Sequence, residues 1–241
     1  MEILKKIIAI VLVSIAAISC SKDDDASAPQ TRTNLLLRTT DSDDGLTMDY
    51  TYDSNNRLVN FKRNNTVNNP ALDQNFTYNA DGTLHKISHA VGGATIAEFF
   101  YDANKKIIRK EADGGTNVYI YSYNGNEVTE NYRYTPTNTG FRQLYIYDDN
   151  GNISTVMIYT NTSDANPLGT YNGTINYTYD TKNSATSSLP KGFIFPTSVN
   201  NIKTTQINGG GIGQSNYEYN ADNYPTKRVD SYTRTYEYQQ L

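Results

Sequence analysis

The stretch YTYDSNNRLVNF, residues 50–61, contains a complete structural unit and decides the fold. Tyr50 and Tyr52 stand two apart, so in an extended chain their rings project from one face. Asp53, Asn55 and Asn56 follow; such side chains bond their own backbone and tolerate left-handed conformations, which makes them turn formers. Leu58, Val59 and Phe61 then begin a second extended run. Strand, turn and return strand make a β-hairpin. Strict alternation would put Arg57, Val59, Phe61 and Arg63 on one face of the return strand and Leu58, Asn60 and Lys62 on the other.

The unit recurs as FTYNADGTLHKI (76–87), FFYDANKKIIRK (99–110), YSYNGNEVTENY (121–132) and YIYDDNGNISTV (145–156). Its aromatic positions are Tyr50 and Tyr52, Tyr78, Tyr101, Tyr121 and Tyr123, Tyr145 and Tyr147, Tyr177 and Tyr179, Tyr217 and Tyr219, and Tyr236 and Tyr238. The second aromatics from Tyr52 to Tyr147 are separated by 26, 23, 22 and 24 residues, and the next two spacings widen to 32 and 40. A fixed period of this size marks one supersecondary unit used repeatedly. Gly82, Gly125 and Gly151 fall where a turn needs positive φ. With 21 Tyr, 7 Phe and no Trp, the aromatic rings are expected to supply cross-strand packing in place of a thick aliphatic core. Helical periodicity is scarce beyond the N-terminus. The fold class is therefore all-β: an antiparallel meander of repeated β-hairpins forming a curled sheet or a water-soluble barrel.

Two segments interrupt the rhythm. Between Ser184 and Asn201, Pro190 and Pro196 bracket Phe193-Ile194-Phe195, which predicts a crossing loop, a plug or an edge cover, since proline is excluded from central ladders. Asn208-Gly209-Gly210-Gly211-Ile212-Gly213 reads as a flexible turn. It is no nucleotide loop, because neither the Lys-Ser/Thr nor the strand-to-helix context follows.

The N-terminus reads as an export signal. Lys5 and Lys6 precede an apolar run of 12 residues, Ile7 to Ile18, too short for a spanning helix, which needs about 18 or more. Residues 1–19 are accordingly assigned as a signal peptide, 20–33 as an anchor, export signal and flexible tether, and 34–241 as the repeat domain. Cys20 is the lone cysteine, so no intramolecular disulfide framework exists. Removing residues 1–19 leaves 222 residues and takes the formal charge from −4 to −5. Such an acidic chain lacks the footprint for phosphate backbones, and nucleic acid is not expected as a partner.

Several stretches resemble known families. Ala17-Ile18-Ser19-Cys20 resembles a bacterial lipobox, with Ala17 where Leu is usual; the resemblance implies acylation of Cys20. Ser21-Lys22-Asp23-Asp24-Asp25 resembles the signal that routes Bacteroidota lipoproteins to the outer face of the outer membrane. Tyr145-Ile146-Tyr147-Asp148 with Gly151 and Ile153 resembles the YD repeat of Rhs-type surface and toxin-shell proteins. The layout from Leu35 to Leu241 is similar to uncharacterised Bacteroidota surface lipoproteins with a porin-like, barrel-shaped fold. Asn79, Asn124 and Asn220 stand where the repeat has Asp, and several units lack its glycine.

The resemblance brings no catalytic assignment, and the residues suggest none. His85 and His89 lie about 13 Å apart on a strand, too far to share a metal. The acidic stretches 41–45 and 148–152 have calcium-loop composition without its spacing, and turn chemistry accounts for both. Arg57, Arg63, Lys62, Lys105, Lys106, Arg109 and Lys110 deny the strands an uninterrupted apolar face, and the sequence ends Gln239-Gln240-Leu241 without the aromatic usual in outer-membrane barrels. The expectation is a non-enzymatic scaffold on the cell surface, without cofactor or metal, held to the membrane only through acyl chains. The alternatives are a glycan, small-ligand or protein binder using a Tyr-lined cavity or face, and a carboxylate-based hydrolase.

Overall fold

The structure, a computed structural model, describes residues 34–240. The signal segment 1–19, Cys20, the export signal Ser21 to Asp25 and the tether to residue 33 lie outside the described residues, as does Leu241. Among the described residues, seventeen strands make one sheet. They are β1 (Asn34–Asp41), β2 (Thr47–Tyr52), β3 (Leu58–Arg63), β4 (Leu72–Tyr78), β5 (Leu84–His89), β6 (Thr95–Tyr101), β7 (Ile107–Ala112), β8 (Asn117–Asn124), β9 (Glu127–Tyr134), β10 (Thr139–Tyr147), β11 (Ile153–Thr162), β12 (Thr170–Asn183), β13 (Asn200–Ile207), β14 (Ile212–Gln214), β15 (Asn216–Tyr219), β16 (Pro225–Val229) and β17 (Thr233–Gln240).

Every ladder is antiparallel and joins chain neighbours, apart from β17, which returns to β1. The meander thus closes on itself as a nearly complete barrel. At one place the wall is shared: β14 pairs with β13, β15 pairs with β16, and Ser215 between them still donates its N–H to the Lys203 carbonyl. Closure matters physically because an open sheet of this width would present two unpaired edges.

The Tyr-Asp turns gather at one end of the barrel and share one geometry. The Asp53 N–H donates to the Arg57 carbonyl and the Asn56 N–H to the Asp53 carbonyl; Asp102, Asp148 and Asn220 head the same pair of bonds. An Oδ1 of each also accepts two backbone N–H bonds, those of Asn55 and Arg57 at Asp53, for example. The fourth turn position is left-handed, and where glycine is missing Asn56, Lys105 and Asn223 adopt it at φ 61°, 61° and 63°.

These turns force a correction to strict alternation. Tyr52 pairs with Leu58 but Thr51 with Asn60, so Val59 is an extra residue in a β-bulge. The bulge rephases the strand. Leu58 and Phe61, expected on opposite faces, both lie in the core, opposite Tyr52 and Tyr50 respectively. The same shift recurs at Tyr78, Tyr101, Tyr147 and Tyr219.

The 184–199 segment is a plug. It occupies the place of the tight turn after the Tyr177–Tyr179 couplet, and it carries Leu189, Phe193 and Phe195 into the core cluster of the wall. Phe193 meets Phe61 and Phe76 edge-on at 5.4 and 5.0 Å, and Phe195 meets Tyr121 at 5.1 Å. A Cβ at Gly192 would lie 3.2 Å from Ile107 and Phe99, so glycine is what lets the plug backbone approach. This insertion accounts for the spacing of 40 between Tyr179 and Tyr219.

Candidate functional site

The tyrosine couplets line the barrel interior, and their hydroxyls have a specific use. At the turn end, neighbouring hairpins part: the β3–β4 ladder stops at Asn60 and Asn75, two residues short of Leu58. Tyr78 spans the gap, donating its hydroxyl to the Leu58 carbonyl at 2.8 Å. The same bond joins Tyr52 to Leu36 (2.9 Å), Tyr101 to Leu84 (2.8 Å), Tyr123 to Ile107 (2.7 Å), Tyr179 to Ile153 (2.7 Å), Tyr217 to Ile202 (2.9 Å) and Tyr238 to Pro225 (2.8 Å). A carbonyl that would otherwise lack a partner in a half-dry interior is satisfied by the next repeat. The Tyr219 hydroxyl instead donates to the Asp180 carboxylate, and the β9–β10 ladder runs unbroken to the end, where Tyr147 bonds Asn126 through its backbone.

The first aromatics of the couplets form a second layer. Tyr50 packs on Phe61 at 5.3 Å, Tyr177 lies 6.4 Å from Tyr179, and Tyr217 lies 6.0 Å from Tyr219. Burial raises the pKa of Tyr50, Tyr121, Tyr145, Tyr177 and Tyr217, and pushes those of Tyr179 and Tyr236 up to about 12.

The register places three charged residues in this layer, Lys110, Glu130 and Arg228, and Lys110, read above with the charges that interrupt an apolar face, turns inward. The residue three after the return-strand Leu58, Leu84, Ile107, Ile153 and Pro225 faces the first aromatic side: Phe61, Ile87, Lys110, Val156 and Arg228. In the hairpin with the two-residue turn and no bulge, the equivalent is Glu130, opposite Tyr121. Glu130 is only 5% exposed. Burial raises its pKa, opposed by the hydrogen bond that Tyr121 donates and by the charge of Lys110. Burial lowers the pKa of Lys110, opposed by Glu130, and the Lys110 Nζ sits 3.8 Å from the centroid of the Tyr119 ring. Tyr119, Tyr132 and Phe141 continue this row across β8 to β10, with centroids 5.0 and 4.7 Å apart. Nearer β17, Arg234 holds Asp41 through both nitrogens of its fork, and Arg228 pairs with Asp230. The fixed offset of three from the return-strand residue is the sequence signal that would have found Lys110 and Arg228.

The exterior is the reverse in character. Glu237, Arg38, Asp49, Lys62 and Asp73 stand directly opposite one another on β17 and β1 to β4, alternating in sign, with Arg38 to Asp49 at 2.6 Å and Lys62 to Asp73 at 3.4 Å. His85 is on the surface, 3.7 Å from Glu98, and His89 ends β5, also exposed. Asp148 is occupied by turn N–H groups, and among the described residues no three His, Cys, Asp or Glu side chains converge as a metal site would require.

With this geometry in hand, one solved structure bears on the fold. A porin-like protein from Bacteroides uniformis matches with a TM-score of 0.53 at 13% identity, over 87% of this chain and 97% of that one. The two share a barrel fold. A TcdB2–TccC3 toxin complex lacking its hypervariable C-terminal region (TM-score 0.37, 11% identity, 72% of this chain and 10% of that one) and a Tc holotoxin pore from Photorhabdus luminescens (0.31, 16%, 83% and 10%) are more distant. The chain thus spans about a tenth of either toxin chain. No family model matches the sequence, and no curated protein does.

Proposed function

We propose that this protein is a non-catalytic lipoprotein of the Bacteroidota cell surface, with YD-like repeats, in which the barrel is a rigid scaffold that contacts other surface components. Cys20 carries the acyl chains, Ser21 to Asp25 direct export to the outer face of the outer membrane, and residues 26–33 are the tether. More than one acyl chain gives a stable anchor. The observation that carries the reading is the polarity of the wall, aromatic inside and ionic outside. A spanning barrel needs an apolar band facing lipid, and each Lys or Arg at the bilayer midplane costs about 2–4 kcal/mol. Lys62, Arg38 and Arg109 face outward, so the wall favours water and the acyl chains do the anchoring. Hydrolysis by paired acids needs two carboxylates about 5–9.5 Å apart. The acids on the interior side are instead engaged, Glu130 by Tyr121 with Lys110, Asp41 by Arg234, Asp180 by Tyr219 and Asp230 by Arg228.

The test is protease treatment of intact cells, followed by an immunoblot for the barrel released from them. Wild type should lose its barrel by cleavage in residues 26–33, while a variant with Lys22, Asp23 and Asp24 changed to Ala should be protected. Equal protection of both refutes the surface assignment. Retention of a Cys20→Ala variant in the membrane fraction would refute the anchor.

A further inference from the structure

We propose that a groove on the outer wall of β8 to β10, at the end of the barrel opposite the Tyr-Asp turns, binds a neutral saccharide. Its volume is about 370 Å³, within the small-ligand range of roughly 300–1,000 Å³. Ile120, 51% exposed, gives it an apolar floor, and Asn131 lies directly across the ladder from it. The rim is Asn138, Thr139, Ser163 and Asp164.

Asp164 is held from two sides. Arg133 Nη2 donates to its Oδ1 at 2.7 Å, and Asn138 Nδ2 donates to its Oδ2. The loop bearing it is closed by its own bonds: Ser163 N–H to the Asn166 carbonyl, Asn166 N–H back to Ser163, and Gly169 N–H to Asn166. The Asp164 side chain is 66% exposed, so the lone pairs left on its carboxylate are open to hydroxyl donors of a ligand. Arg133 cancels its charge, so neither an anion nor a cation gains a net Coulombic attraction. A ligand offering both hydroxyl donors and acceptors on one edge and a C–H face on the other matches amides, hydroxyls and an aliphatic floor, and a pyranose has that form.

Asn34 pairs with Gln240 at the Tyr-Asp turn end, and the groove lies at the other end of the strands. Binding there is chemistry of the wall itself and does not depend on the anchoring proposed above.

The experiment is saturation-transfer NMR on the full chain purified in detergent, so it is independent of where the protein resides. The probes are maltotriose, cellotriose and mannotriose at about 5 mM each, in the range that reports weak binding, with trigalacturonate as the anionic comparison. At least one neutral trisaccharide should receive transfer at its ring C–H protons, and Asp164→Ala and Ile120→Thr should each weaken it about tenfold or more, with unchanged circular dichroism. Asn55→Ala, at the opposite end, should leave binding as it is. Absence of transfer to all three neutral probes, preference for trigalacturonate, or binding indifferent to both groove variants overturns the proposal.

Discussion

Replacing Tyr101 by Phe isolates the bond that joins one repeat to the next. The ring stays, and only the hydroxyl that donates to the Leu84 carbonyl at 2.8 Å is removed. Leu84 is 2% exposed, and the β5–β6 ladder ends at Lys86 and Glu98, so no backbone N–H is positioned to replace the lost donor. A made hydrogen bond contributes about 0.5–1.5 kcal/mol net, and a buried acceptor left alone costs about 1–3 kcal/mol. The expected loss is therefore about 1.5–2 kcal/mol, which for a domain of this size lowers Tm by roughly 3–8 °C. Tyr78→Phe and Tyr123→Phe remove bonds of the same geometry and should fall in the same range. The control is Tyr171→Phe, whose hydroxyl engages Thr174 on the outer surface; that change should stay within about 0.5 kcal/mol. The assay is urea unfolding followed by circular dichroism, read as a shift in midpoint at constant slope. If Tyr101→Phe and Tyr171→Phe unfold at the same midpoint, the hydroxyls do not hold the repeats together and the reasoning fails.

Three further outcomes are expected from the same structure. Gly140→Ala should cost about 3 kcal/mol or prevent folding, because its Cβ would sit 1.9 Å from the Tyr132 carbonyl oxygen, and a thermal melt reads the loss. Lys105→Gly should raise stability by about 0.5 kcal/mol, since Lys105 holds φ at 61°, where an L-residue is penalised by more than glycine loses in entropy; a lower urea midpoint would contradict this. The third concerns pH. Tyr179 and Tyr236 titrate near 12 when folded, above the usual tyrosine value near 10, so the folded state holds protons that the unfolded state gives up. Their stabilising contribution is complete below pH 10 and lost as pH rises from 10 towards 12. Absorbance at 295 nm should therefore rise together with loss of the β-sheet signal, and early titration of most tyrosines in a still-folded protein would contradict the burial.

Much of the fold was legible because local and global signals agree in each repeat. The Tyr-x-Tyr spacing gives the strand face, and the Asx residues give the turn; Asp53, Asp102 and Asp148 bond their backbones as such residues do wherever they head a turn. What local reading misses is phase. Whether Val59 counts as a rung or as a bulge cannot be decided from a period of two, and that one residue determines whether Leu58 shares a face with Phe61. Lys110 was hidden for the same reason, since its inward direction depends on the bulge after Ile107, whereas Glu130, in the hairpin without a bulge, shares a face with Val128 by plain alternation. The plug, by contrast, was marked by Pro190 and Pro196, although only the tertiary contacts of Phe193 and Phe195 choose a plug over an edge cover.

The repeat also explains how a wall with so many tyrosines stays closed. An aliphatic side chain at position 78 would fill space but could not reach across the two-residue gap above Leu58, and the carbonyl there would need water. Water at that level would have to displace Leu189, Phe193 and Phe195, which fill the interior beside it. Tyrosine satisfies both demands with one side chain, ring into the core and hydroxyl onto the preceding repeat, so the spacing in sequence and the parting of hairpins in space are two expressions of one constraint. Repeat length is free to vary as long as the hydroxyl still meets its carbonyl. Tyr179 does so at 2.7 Å although 32 residues separate it from Tyr147, and Tyr238 does so at 2.8 Å beside a strand that begins with Pro225.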